Sequence, residues 1–218
     1  DLADPDERSH LPRLRRRHRG PTTAQVGSRL PRMATDRPRP AEARIAPIAD
    51  VPEDLRELTS VRGTGEPINI LRTLAHAPNV LKRFSQMGGT LLFRTSVPDR
   101  ERELVILRVG ANAASVYEFG QHTIIGKQSG ITDAEITALT RPADDGGWNA
   151  GDRALIDLAD DLCRDDCVSD ATWAALRGSW DDRQIVELIV TAGFYRMVSG
   201  FLNSVGVQLD PGVPGWPA

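Results

Sequence analysis

The chain has 218 residues, 40% hydrophobic and 26% charged, with few aromatics (5%) and two cysteines. That balance is ordinary for a globular protein, favours helix over sheet, and excludes a disulfide-framed mini-domain. Of the 27 basic and 30 acidic residues, ten arginines and five acids lie within 1–40, leaving 17 and 25 for 41–218, so a basic arm precedes an acidic body.

The arm, "LPRLRRRHRG" and its flanks, has no helical period and is broken by Pro and Gly. Residues 1–45 are therefore expected to be a disordered basic arm, with Met33 a candidate natural start and 46–218 the folded domain. A nucleic-acid partner is not expected, because the body shows no basic patch. No run of about 18 apolar residues and no apolar leader core is apparent, so no membrane partner is expected either. A reducing cytoplasm is the expected location.

From residue 50 onward nearly every segment reads as helix. Pro52 opens a short candidate over 51–60, and apolar spacing supports 66–78, stopped at Pro78. Residues 79–93 follow, weakened at Gly88-Gly89. The stretch 97–130 holds two helices that break near Gly110 to Ser115. Thr132 with Glu135 makes a capping box, Asn149 caps 150–164, Ser169 caps the next helix, and Asp181 with Gln184 opens the long apolar helix 182–207. The tail "QLDPGVPGWPA" has no period. The fold class is all-α.

One stretch, "SVYEFGQH" (115–122), places Ser115, Glu118 and His122 on one helical face in an apolar context. A carboxylate one turn from an imidazole fixes its tautomer and raises its basicity, leaving the other ring nitrogen to exchange a proton near pH 6–7. The plainer reading is a solvated i,i+4 pair. Glu103, before the run Leu104–Leu107, is either exposed or buried with a partner. Tyr117 adjoins the row. Arg108 can bind a substrate carboxylate bidentately or form a surface salt bridge. Metal binding fits poorly, since the spacing is E-x-x-x-H and only His76 offers a second imidazole outside the arm. Cys163 and Cys167 do not form C-x-x-C.

Five segments in order, "ILRTLAHAPNVLKRF", "LLFRTSVPDRERELVILRVG", "YEFGQHTIIGKQSGIT", "DLADDLCRDDCVSDATWAAL" and "QIVELIVTAGFYRMVSGFLNSVGVQLDP", resemble the carboxymuconolactone decarboxylase family, over about residues 50–212. The resemblance implies an alkylhydroperoxidase D-like helical bundle. Peroxidase members of the family carry C-x-x-C-x-x-x-H on this helix, with a glutamate twelve residues upstream. Ser115 and Glu118 occupy the cysteine positions here, while His122 and Glu103 match. The implied site is His122, Glu118 and Glu103 for proton transfer, with Ser115, Tyr117 and Arg108 toward substrate. The expected activity is that of a cofactor-independent lyase or isomerase on a small carboxylate or lactone, without a metal. A biosynthetic cyclase or hydratase and a catalytically silent binding homologue are the alternatives. Thiol peroxidase chemistry has lost its sulfurs. The resemblance and the long apolar helix 182–207 also imply a homo-oligomer (dimer, trimer or hexamer).

Overall fold

The structure, a computed structural model, describes residues 38–60 and 65–217. Residues 1–37 of the basic arm, including Met33, lie outside the described residues. The described part is helical, with only an isolated bridge between Ser60 and Pro67. The described residues fall within one compact unit.

The helix at the centre is α4 (Asp99–Asn112), which opens with Asp99 and Glu101 in its first turn. Its ten residues Arg102–Ala111 are all buried, so it is sealed on every side. Around it pack α5 (Val116–Gln128), α7 (Ala150–Asp165) and the long α9 (Asp182–Val205). A three-residue turn joins α4 to α5 and puts Ala114 at φ 49°, a left-handed conformation that costs a residue with a Cβ.

Outside this core, α1 (Arg56–Thr59), α2 (Asn69–Leu74) and α3 (Pro78–Phe93) build a second apolar cluster with Tyr117 and the C-terminal half of α9. α3 runs unbroken through Gly88-Gly89, where Gly88 lies against the Phe194 ring. α6 (Asp133–Ala138) and α8 (Asp170–Arg177) are short. The helix starts expected from capping are present: boxes at Thr132–Glu135 and Asp181–Gln184, and side-chain caps from Asn149 and Ser169.

Two segments differ from expectation. Residues 38–45, assigned to the arm by composition, pack on the body. The Arg39 guanidinium donates to the carbonyls of Ala113 (2.7 Å) and Ala114 (3.5 Å), and the Arg44 backbone N–H to that of Val205 (2.7 Å). The tail is likewise held in place. Asp210 accepts hydrogen bonds from the Asn69 N–H, Gln121 and Tyr117, and Trp216 stacks on Phe119 with ring centroids 4.9 Å apart. A Cβ built on Gly120 would lie 2.2 Å from the Pro214 carbonyl, so only glycine lets the tail cross α5 there.

Helix α9 also qualifies the expectation about apolar runs. Taken whole, it is long and apolar enough to span a bilayer by length and composition, with 44% of that window buried inside the chain.

Candidate active site

Glu103 on α4 and His122 on α5 face each other across the hairpin, and Glu118 stands one turn before His122. The His122 Nδ1 lies 2.6 Å from Glu103 Oε2, and Nε2 lies 3.1 Å from Glu118 Oε1. All three side chains are buried, Glu103 completely. Both ring nitrogens are therefore occupied, which corrects the expectation that one is left open. The tighter contact is to Glu103, 19 residues away, rather than to the local Glu118.

A buried pair of carboxylates is costly unless charge compensates it. Burial pulls the imidazole pKa down. The charge and hydrogen bond of Glu103, then those of Glu118, outweigh it and push His122 up to about 10. The ring is thus an imidazolium at neutral pH, against the expected titration near 6–7. Beyond it the row continues. Arg102 donates to Glu103 Oε1 from Nε (3.3 Å) and Nη2 (3.2 Å), and from Nη1 to Asp99 (2.7 Å). Charges alternate along Asp99, Arg102, Glu103, His122 and Glu118, and the inner four groups are shielded from water.

Tyr195 of α9 closes the site, its ring edge-on to His122 with centroids 4.8 Å apart. Burial, then the charges of Glu118 and Glu103, hold its hydroxyl proton well above the usual phenol range. Ser115 caps α5 only in position. Its side chain makes no cap bond, and its hydroxyl is buried without a hydrogen-bond partner. Ser199 shares that condition, whereas Thr191 and Ser204 on the same helix bond back to carbonyls four residues earlier. Asn203 donates to the Ala113 carbonyl (2.8 Å) while Tyr195 meets His122, so α9 runs antiparallel to α5 and Ser199 sits level with Glu118.

The structure does not bring Arg108 or Tyr117 to this row. The fully buried Arg108 fork is taken by Asp160 (2.6 and 2.8 Å) and by the carbonyls of Leu139 and Arg141. It ties α4 to α7, which corrects both of its expected roles: neither a free carboxylate receptor nor a surface salt bridge. Tyr117 turns to the opposite side of α5. There it donates to Asp210 (2.5 Å), accepts from the Ile70 N–H (3.2 Å), and lines a cleft of about 440 Å³ with Arg39, Leu202 and Leu209.

Sequence reasoning missed Arg102, Tyr195 and Ser199. Arg102 had a local signal, since a cation beside Glu103 in "RERE" is a ready counter-ion; the α9 residues had none. Cys163 lies half-buried on α7 and Cys167 is exposed just after it, both free. Burial pushes the Cys163 thiol up, away from reactivity. Among the described residues no group of three or more His, Cys, Asp or Glu side chains is arranged to hold a metal ion.

Residues 78–161 match the Carboxymuconolactone decarboxylase family. Among solved structures, the fold is similar to an uncharacterized peroxidase-related protein from Silicibacter sp. TM1040 (TM-score 0.68, 19% identity, covering 76% of this chain and 90% of that one). It is also similar to an alkylhydroperoxidase AhpD core, an uncharacterized peroxidase-related protein from Ralstonia eutropha JMP134 (0.66, 20%, 77% and 93%). A third is the debrominase Bmp8, solved with 2,3,4-tribromopyrrole (0.63, 13%, 78% and 94%). These likenesses establish the AhpD-like helical fold. No curated protein matches the sequence.

Proposed function

We propose, from the match of residues 78–161, which carry Glu103, Glu118 and His122, to the carboxymuconolactone decarboxylase family, that the protein is a lyase or isomerase acting on a small carboxylate or lactone by proton transfer. The observation that carries the proposal is His122 held between two buried carboxylates at 2.6 and 3.1 Å. A carboxylate on each ring nitrogen gives the imidazolium a proton acceptor at both ends, the arrangement that a relay through the ring requires.

In this reading Glu118 faces the substrate, and His122 passes a proton to or from it. Glu103, anchored by Arg102, holds the imidazolium in place as its charge redistributes. In decarboxylation of a vinylogous acid, the carbon–carbon electron pair moves into the conjugated carbonyl as carbon dioxide leaves, and carbon takes up the proton. An isomerisation uses the same row to remove and return one proton. The buried, partnerless hydroxyls of Ser115, one turn before Glu118, and of Ser199, level with it on α9, supply donors for a substrate oxygen. Sulfur-based peroxide reduction does not fit, because no cysteine lies on α5.

The test is a mass-spectrometric turnover screen of small lactones, β-keto acids and muconate-like acids. Wild type is compared with Glu118→Gln and His122→Ala. Turnover by wild type that falls about 10²–10⁴-fold in Glu118→Gln is expected. A product lighter by carbon dioxide identifies a decarboxylase, and one of unchanged mass an isomerase. Equal binding without turnover in all three proteins overturns the reading. It would then favour a silent homologue, in which the row is a buried charge clamp. One observation supports that second reading: His122 is only 6% exposed, and it lines neither the cleft beside Tyr117 nor the one at residues 177–183.

A further inference from the structure

Tyr117 and Arg39 line a cleft that the Glu/His row does not use. At about 440 Å³ it falls in the range of small-ligand sites, about 300–1,000 Å³. Segments far apart in sequence build it: residues 39–41, the first turn of α5, and the end of α9 with the tail as far as Leu209. Its walls are held in place. Residues 40–42 cross so close to Gly206 that a Cβ there would meet the Glu42 carbonyl at 2.6 Å and Pro40 at 2.8 Å. The Arg44 N–H, bonded to the Val205 carbonyl (2.7 Å), fastens the same crossing. Tyr117, 2% exposed, is tied down by Asp210 and by the Ile70 N–H.

Most of the lining is apolar, from Pro40, Val116, Leu202, Val207 and Leu209. Charge enters through Arg39. Its Nη2 and Nε are committed to the carbonyls of Ala113 and Ala114, whereas Nη1 has no partner among the described residues. Those carbonyls directly precede α5, so the guanidinium sits at that helix's N-terminal end. There the backbone N–H groups of Val116 and Tyr117 have no acceptor among the described residues, and the Ser115 side chain makes no cap bond. A cation and the positive end of a 13-residue helix thus meet in one apolar cleft. None of its lining residues is acidic. Asp210, behind Tyr117, is already engaged by the Asn69 N–H, Tyr117 and Gln121.

We infer that this cleft binds a small monocarboxylate with a compact hydrocarbon body. The carboxylate lies on Arg39 and the first N–H groups of α5, and the body lies against Leu202, Val207 and Leu209. Two carboxylate oxygens match these two kinds of donor, and a single negative charge matches the single guanidinium. Inorganic phosphate would leave the apolar walls uncovered. A neutral amide would leave the cation unpaired. The site is separate from the Glu/His row, because Tyr117 and Glu118 leave α5 on different sides, and the inference is independent of what that row does.

Backbone-amide NMR titration of the full chain with hexanoate, hexanamide and inorganic phosphate tests it. Hexanoate is expected to bind saturably, with a Kd of about 1 mM or tighter, and to move the Val116 and Tyr117 amide resonances downfield. Hexanamide and phosphate should each bind at least about tenfold more weakly. Arg39→Met should weaken hexanoate by a similar factor. Val116→Trp, which fills the cleft and leaves Arg39 in place, should abolish binding while the circular dichroism stays that of wild type. The absence of saturable hexanoate binding overturns the inference, as does equal affinity for hexanamide or phosphate. Shifts centred on Glu103 rather than on Val116 overturn it too. So does wild-type affinity in folded Val116→Trp, whatever Arg39→Met does to the fold.

Discussion

Because Glu103 and Glu118 hold opposite nitrogens of His122, the imidazole keeps its proton far into the alkaline range. The folded pKa, about 10, exceeds the ordinary value of 6.5. The resulting stability is fully present below pH 6.5 and is lost as pH rises through 10. Across that window the folded state binds one more proton, so unfolding free energy should fall by about 1.4 kcal/mol per pH unit. Denaturant titrations at successive pH values check this, and His122→Gln should remove the slope. Ser115 gives a second residue-scale prediction. Its buried, partnerless hydroxyl is a liability in the free protein, so Ser115→Ala should raise stability by about 1 kcal/mol in thermal melts. Substrate binding should weaken in the same variant if that hydroxyl meets a substrate oxygen.

At the scale of elements, α5 is pinned from several sides, and only part of that was readable in advance. The capping boxes at Thr132 and Asp181, and the i,i+4 spacing of Glu118 and His122, are local rules, and sequence displays them directly. Glu103 stood out locally only as an acid at the edge of an apolar run; its pairing with His122 was implied by the family resemblance alone, since nothing local links it to a ring 19 residues on. Arg108 looked available because its partner, Asp160, lies 52 residues away on α7. The tail looked irregular because its order comes from contacts rather than periodicity: Asp210 on Tyr117 and Gln121, and Trp216 on Phe119. Gly120 is where α5 and tail touch most closely. Gly120→Ala should lift the tail, cost about 1–3 kcal/mol, and expose the segment after Gly206 to limited proteolysis.

Over the whole molecule, segments far apart in sequence converge on the turn that starts α5. Arg39 and Asn203 both donate to the Ala113 carbonyl, and Arg39 also reaches that of Ala114, the residue in a left-handed conformation. The body thus extends to at least residue 38, beyond the boundary that composition suggested. Arg39→Ala should lower stability by about 1–3 kcal/mol, since it strips a charged donor from two carbonyls at a strained turn. Chemical denaturation of that variant is the check, and an unchanged midpoint would mean that the contact contributes nothing.

The central claim is that His122 is an imidazolium clamped between two carboxylates. With four histidines in the chain, nitrogen NMR of histidine-labelled protein reads it directly. The account predicts one imidazole, lost in His122→Gln, with both nitrogens protonated at pH 8 and no titration until about pH 10. An imidazole at that position that titrates near pH 6.5, or one already neutral at pH 8, would contradict it.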